Sequence, residues 1–131
     1  LEDEGYDTGV TESEKGVTIT LENIQFLPDS AVLIESERKK LEVIADILRE
    51  DYPERDLLVT GHTALAGTPE GRQILSEQRA AAVANFFLSR GIREEEEIIT
   101  QGFGAREPLA DNSTERGMRR NRRVEITILE N

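Results

Sequence analysis

The chain has 131 residues, the size of one domain with a single core. Hydrophobic residues make up 37% and charged residues 33%; with four Phe, two Tyr and no Trp, the core must be filled mainly by Leu, Ile and Val. There are 27 acidic against 16 basic residues and no Cys: the net charge of -11 argues against a nucleic-acid binder or docking to an anionic membrane surface, and disulfides, thiolate metal sites and a Cys nucleophile are excluded.

Residue 1 is Leu and no signal peptide leads the chain, which is read as a piece of a longer protein. Residues 1–16 hold six acids against Lys15 and few apolar side chains, so they are expected to be a disordered acidic linker or tail, with the folded domain spanning 17–131. Val17-Thr-Ile-Thr-Leu21 alternates apolar and polar residues and predicts a half-buried strand. A loop with Pro28 follows. Leu41, Ile44, Ala45 and Leu48 fall at helical spacing, predicting a helix over 36–51 with Ser36 as its cap and Pro53 beyond its end. Leu57-Leu-Val-Thr60 reads as a central strand buried on both faces. A second helix is expected from Pro69 to Arg90, with an apolar stripe of Leu75, Ala82, Val83, Phe86 and Phe87 and Gly91 as its C-terminal cap. Residues 98–101 predict a third strand, residues 102–117 a long loop, and 123–129 a last strand with Val124, Ile126 and Ile128 inward. The order is βαβαββ, and the simplest layout is an α/β two-layer sandwich with two long helices on one face of a mixed four-stranded sheet.

Little points to catalysis. His62 is the only His, which rules out a multi-His metal site, and its simplest role is structural at the end of a strand. No Gly-x-Ser-x-Gly elbow occurs, and Gly102-Phe-Gly104 is too short for a dinucleotide fingerprint. Glu94 to Glu97 read as a solvated charge run. No enzyme activity, cofactor or metal is expected.

The arginines are more informative. Arg79 lies four residues from both Leu75 and Val83, on the apolar side of its helix, where a guanidinium needs an acceptor. An internal ion pair and an anion-binding arginine aimed at a ligand carboxylate fit that placement equally well. Arg116, Arg119, Arg120, Arg122 and Arg123 form a second basic group, set against Glu115 alone. They are either solvated charges balancing acidic neighbours or a local patch for an anionic partner, and no interleaved aromatics suggest base stacking.

Several ordered segments then point one way: residues 24–33 (Ile-Gln-Phe-Leu-Pro-Asp-Ser-Ala-Val-Leu), Gly61-His-Thr63 with Gly67, Leu75-Ser-Glu-Gln-Arg-Ala80, Gly91-Ile92, Gly102-Phe-Gly104 and Asn121-Arg-Arg-Val-Glu-Ile126. With Pro108, Asn112, Thr114 and Gly117, they make the chain from about Val17 to Asn131 resemble the OmpA-like C-terminal domain, a periplasmic peptidoglycan-associated module of cell envelopes. The resemblance implies a non-enzymatic envelope domain, part of a larger outer-membrane-associated protein, that grips the stem peptide of peptidoglycan. In the family an Asp after Gly-His-Thr takes the ammonium of the ligand's diamino acid, and the Arg of Leu-Ser-x-x-Arg-Ala takes its carboxylate. An upstream Asn and the first Arg of Asn-Arg-Arg assist.

Arg79, Arg122, Asp29 and Thr63 match that pattern. Ala64 stands at the Asp position, Arg72 at the Asn position, and Met118 replaces a further family Arg. The resemblance therefore implies an impaired diaminopimelate clamp, with the usual binding weak or lost, a pocket that favours anions, and an envelope protein as a possible partner. The alternative is a working module with altered stem-peptide specificity, built on Arg79 and Arg122.

Overall fold

A computed structural model describes residues 8–13, 16–26 and 31–130. Five strands form one mixed sheet: β1 (Thr8–Ser13), β2 (Gly16–Glu22), β3 (Leu57–His62), β4 (Ile98–Gly102) and β5 (Arg123–Leu129). Their order is β1-β2-β5-β3-β4; β3 and β4 run parallel and every other neighbouring pair is antiparallel. The helices are α1 (Glu35–Asp51), α2 (Pro69–Ser89) and α3 (Glu115–Asn121). The two-layer α/β sandwich expected from the sequence is the architecture found.

The register shows how a period of two builds the core. Ile19 pairs with Ile126, which pairs with Val59; Val17 pairs with Ile128, which pairs with Leu57. Side chains two apart share a face, so these rows make one apolar surface. Leu41, Ile44, Ala45 and Leu48 of α1 and Ala80, Val83, Ala84, Phe86 and Phe87 of α2 complete the same buried cluster. Val124, Ile126 and Ile128 point inward as their alternation predicts.

Four features differ from expectation. The sheet has five strands rather than four, because residues 8–13, assigned by composition to the acidic leader, form β1 along β2. An edge strand needs backbone hydrogen bonds more than buried side chains, and charge content does not register them. The rest of the leader, residues 1–7 and 14–15, lies outside the described residues. Ser36 does not cap α1: Ile34 holds that position with no side-chain cap. The buried stripe of α2 includes Ser76, Ala80 and Ala84, while Leu75 and Ala82 are only half-buried. Finally, the expected long loop contains α3, a short helix with no apolar stripe, capped by the Thr114 hydroxyl accepting from the Gly117 amide at 2.9 Å.

One contact sets how deep α2 sits. At the row Leu21, Val124, Gly61, Gly102 the large side chains give way to two glycines. A Cβ on Gly61 would lie 2.1 Å from the Ser76 carbonyl oxygen, and one on Gly102 would lie 2.5 Å from its hydroxyl. The helix backbone thus rests directly on β3 and β4, while Gly91, at φ 71°, turns the chain beyond the other end of α2. Gly61→Ala is expected to destabilise the domain by about 1–3 kcal/mol through overpacking against backbone that cannot move aside; chemical denaturation of the two proteins gives the difference.

Candidate functional site

The exits of β2, β3 and β4 and the entry of β5 share one end of the sheet. Glu22 pairs with Arg123, which pairs with His62. Thr63 follows His62 and Arg122 precedes Arg123, so the register brings these two matched residues to neighbouring strand ends. Arg79 stands one turn along α2 from Ser76, and its guanidinium lies 4.5 Å from the Phe26 ring centroid. Face-on contact of this kind holds a guanidinium by its plane and fixes its orientation. Phe26 also bridges to Leu33 across the first loop. Asp29, in that loop, lies outside the described residues.

Buried polar bonds fix the loops around this end. The Thr63 amide donates to the Gly104 carbonyl at 2.8 Å, and the Gly104 amide donates to the Ser76 hydroxyl at 2.9 Å. That hydroxyl, fully buried, donates in turn to the Gln73 carbonyl at 2.9 Å. Asn121, also fully buried, accepts from the Leu109 and Ala110 amides at 2.7 and 2.9 Å. Its amide group donates to the Ala110 carbonyl and to the Asn112 side chain, which itself accepts from the Leu65 amide at 3.3 Å. A side-chain amide in this position closes a loop as a backbone strand would, with both of its polar ends satisfied.

Of the three positions that depart from the family pattern, Ala64 lies in the loop these bonds hold, Arg72 on α2 and Met118 on α3. Ala64 is buried, and its carbonyl accepts from both the Thr63 hydroxyl at 2.9 Å and the Ala66 amide at 3.0 Å. Arg72 reaches back to the same loop, donating to the Gly67 carbonyl at 2.8 Å and the Ala66 carbonyl at 3.4 Å. Met118 is half-buried on α3. Arg122 has a loose ion pair with Glu115 at 3.4 Å. Arg123 stands apart from the basic group that its sequence position suggests: it is buried, with Nε on Glu125 at 2.7 Å and Nη2 on the Glu107 carbonyl at 2.9 Å. Two surface cavities open nearby, and Arg79, Arg122 and Thr63 line neither.

Phe26, Ser76 and Asn121 are the site residues whose roles are not apparent from spacing. For Ser76, a small polar residue on the buried side of a helix facing two glycine-bearing strands is the readable signal. His62 is structural, as its place in the sequence suggests. It stacks on Phe103 with ring centroids 5.4 Å apart, and its Nε2 lies 3.1 Å from the Thr60 hydroxyl. Its Nδ1 is buried with no hydrogen-bond partner among the described residues. Burial, helped by the Arg123 charge and opposed by Glu125, pushes its pKa down to about 4.

With this geometry in place, known proteins decide the family. The OmpA family profile matches residues 25–122. The chain belongs to the OmpA family. It is 37% identical to the probable lipoprotein YiaD of Escherichia coli over 98% of its own length and 59% of that protein's. It is 39% identical to the peptidoglycan-binding protein ArfA of Mycobacterium tuberculosis over 80% of this chain and 32% of that one. Among solved structures, the cell wall anchor of the type VI secretion system from Pseudomonas aeruginosa superposes with a TM-score of 0.85 at 27% identity, over 99% of this chain and 92% of that one. The chain thus spans between about a third and three-fifths of the length of these two curated relatives. Membership in the OmpA family makes it a non-enzymatic domain of the bacterial envelope. No helix among the described residues is long and apolar enough to cross a membrane.

The depressed His62 pKa has a thermodynamic consequence. Above pH 6.5 the ring is neutral in both folded and unfolded chains; between about 6.5 and 4 the unfolded chain binds a proton that the folded one refuses, so stability falls across that window. The wild type is expected to lose on the order of 2–3 kcal/mol more than His62→Gln between pH 7 and 4. Denaturant titrations of both proteins at several pH values measure that difference, which cancels the shared carboxylate titrations.

Proposed function

We propose that this OmpA-family domain is a cell-wall module whose grip on the usual diaminopimelate stem peptide is impaired, with the carboxylate-binding half retained and the ammonium-binding half lost. The observation that carries this reading is the state of the loop after β3. Ala64 occupies the position where the family has its acid, and nearby backbone carbonyls already have donors. The Ala64 carbonyl has two, while those of Ala66 and Gly67 take Arg72. A ligand ammonium would meet a guanidinium bound to the loop where it needs an acceptor.

The other half fits a carboxylate. Arg79 is braced against Phe26, and Arg122 sits at the neighbouring strand end with only a loose pairing to Glu115. Thr63 is held by its amide and hydroxyl within the loop. Removing one charge-assisted hydrogen bond costs roughly 1.5–3 kcal/mol, or about ten- to a hundredfold in affinity. Such a domain serves the envelope chiefly as a scaffold, engaging an envelope protein partner more than the wall. The braced Arg79 favours a second reading, in which the module still binds peptidoglycan with altered stem-peptide specificity through Arg79 and Arg122.

An NMR titration with a diaminopimelate-containing muropeptide separates the two. Under the first reading the native domain shows no saturation at millimolar ligand, and Ala64→Asp with Arg72→Asn binds about ten- to a hundredfold more tightly, with shifts around Arg79. Saturable shifts around Arg79 in the native domain would overturn it in favour of the second.

A further inference from the structure

A second basic site lies beside the residues assigned to the stem peptide, with Arg119 sharing the Glu115 carboxylate with Arg122. One surface cavity, about 330 Å³, is lined by Glu22, Asn23, Arg116, Arg119 and Arg120. The three arginines occupy i, i+3 and i+4 positions of α3 and so share one face of it. The register delivers the end of β2 to meet them, with Arg120 Nε 3.4 Å from the Glu22 carboxylate.

The bonding of these arginines differs in kind from that of the structural ones. Arg93 is buried and spends its guanidinium on the backbone carbonyls of Arg55, Ile92 and Tyr52. Arg123 is likewise committed to Glu125 and two backbone carbonyls. In the cavity, Arg119 has one loose contact to Glu115 at 3.7 Å and Arg120 one to Glu22 at 3.4 Å. The Arg116 guanidinium has no hydrogen bond or ion pair among the described residues. Most of the guanidinium donors lining this cavity therefore face solvent. Glu22 offsets one of the three positive charges and Glu115, which Arg119 shares with Arg122, offsets part of a second, so the cavity wall keeps a positive excess.

Asn23 supplies the opposite wall. It is the one non-glycine residue with positive φ among those described, at 53°, and the Gln25 side chain donates to its carbonyl at 2.8 Å. Its own side-chain amide makes no hydrogen bond among the described residues and is available as a neutral donor. A residue held in the left-handed region at a cavity lip is a feature that the surrounding structure sustains.

We infer that this cavity binds a phosphomonoester dianion, gripped by Arg116, Arg119 and Arg120 with Asn23 as an added donor. Three forked guanidiniums on one helix face suit a group with three terminal oxygens better than a carboxylate or a phosphodiester, which present two. The phosphate is a free or polymer-borne monoester or a lipid headgroup; the recognition chemistry is the same. The site does not depend on the stem-peptide reading, since it shares none of its residues.

The test is an NMR titration at pH 7.5 with methyl phosphate, against sodium chloride at equal ionic strength. Saturable shifts are expected at the amides of Asn23 and α3 and at the guanidinium resonances of the three arginines. They should weaken as salt is raised. The triple variant Arg116→Gln, Arg119→Gln, Arg120→Gln should bind at least about tenfold more weakly, while keeping the wild-type amide spectrum outside α3. A charge-matched control on α1, Arg38→Gln, Lys39→Gln, Arg49→Gln, should bind as the wild type does. Absence of saturation, or equal loss in the α1 control, would overturn the inference. A flotation assay with vesicles bearing phosphatidic acid, a lipid phosphomonoester, identifies the source. Binding lost in the α3 variant assigns a lipid headgroup, and no flotation alongside methyl phosphate binding assigns a free or polymer-borne monoester. Ala64→Asp with Arg72→Asn should leave methyl phosphate binding unchanged, which keeps failure here distinct from failure of the stem-peptide reading.

Discussion

The seating of α2 on Gly61 and Gly102 is the contact from which the candidate-site end of the domain is built. With no side chains between helix and sheet at that row, Ser76 comes within reach of the chain leaving β4, and its hydroxyl takes the Gly104 amide. Gly104 then has its carbonyl placed to receive the Thr63 amide. Two loops and a helix are locked together by one hydroxyl that no water reaches. A buried polar group of this kind stabilises only when all its partners are in register, so the same bonds that fix the loops also specify the depth and rotation of α2. Arg79, one turn further along, inherits its position from that seating.

The domain uses arginine in two chemically distinct ways. Arg93 and Arg123 are buried, and each nitrogen of their guanidiniums has an acceptor; each holds chain segments together through backbone carbonyls, a use that suits the fork of the guanidinium. Arg72 acts similarly at the surface, tying the Ala66–Gly67 turn to the start of α2. Arg79 packs against an aromatic face, and Arg119 and Arg120 make loose carboxylate contacts. Burial and the nature of the acceptor separate these groups, where sequence spacing alone gives five neighbouring arginines one common appearance.

What the sequence revealed and what it concealed follow from the range of the forces involved. The alternation of Val17 to Leu21 and of Arg123 to Leu129, and the helical spacing of Leu41 to Leu48, are local consequences of burying one face, and each element forms where the period places it. β1 and α3 lack such a period: β1 is held by ladder bonds to β2, and α3 by the Thr114 cap and the buried side chain of Asn121. The four-strand expectation failed for that reason. At the site, Arg79, Arg122 and Thr63 were legible through resemblance, and the register brings Thr63 and Arg122 to adjacent strand ends. The bracing by Phe26 and the carbonyls taken up by Arg72 depend on contacts distant in sequence or on loop shape, which no single residue's identity encodes. His62 lies between these cases: its solitary status argued for a structural role, but the burial and the Arg123 charge that keep it neutral are tertiary facts.

The charge distribution constrains what kind of recognition this surface can perform. With 27 acids against 16 bases, the field far from the molecule repels anions. The mobile ions of a physiological medium screen that field over about 8 Å. Within that distance the nearest charges dominate, and along α3 and at Arg79 those charges are guanidiniums. An anionic ligand is therefore not drawn in by long-range steering, which would favour cations here; it is held only once it meets these side chains at contact distance. Selectivity then rests on geometry rather than on total charge. On the proposed reading, an alanine at position 64 bears most heavily on zwitterionic ligands, because it offers their cationic end no short-range partner while the arginines remain in place.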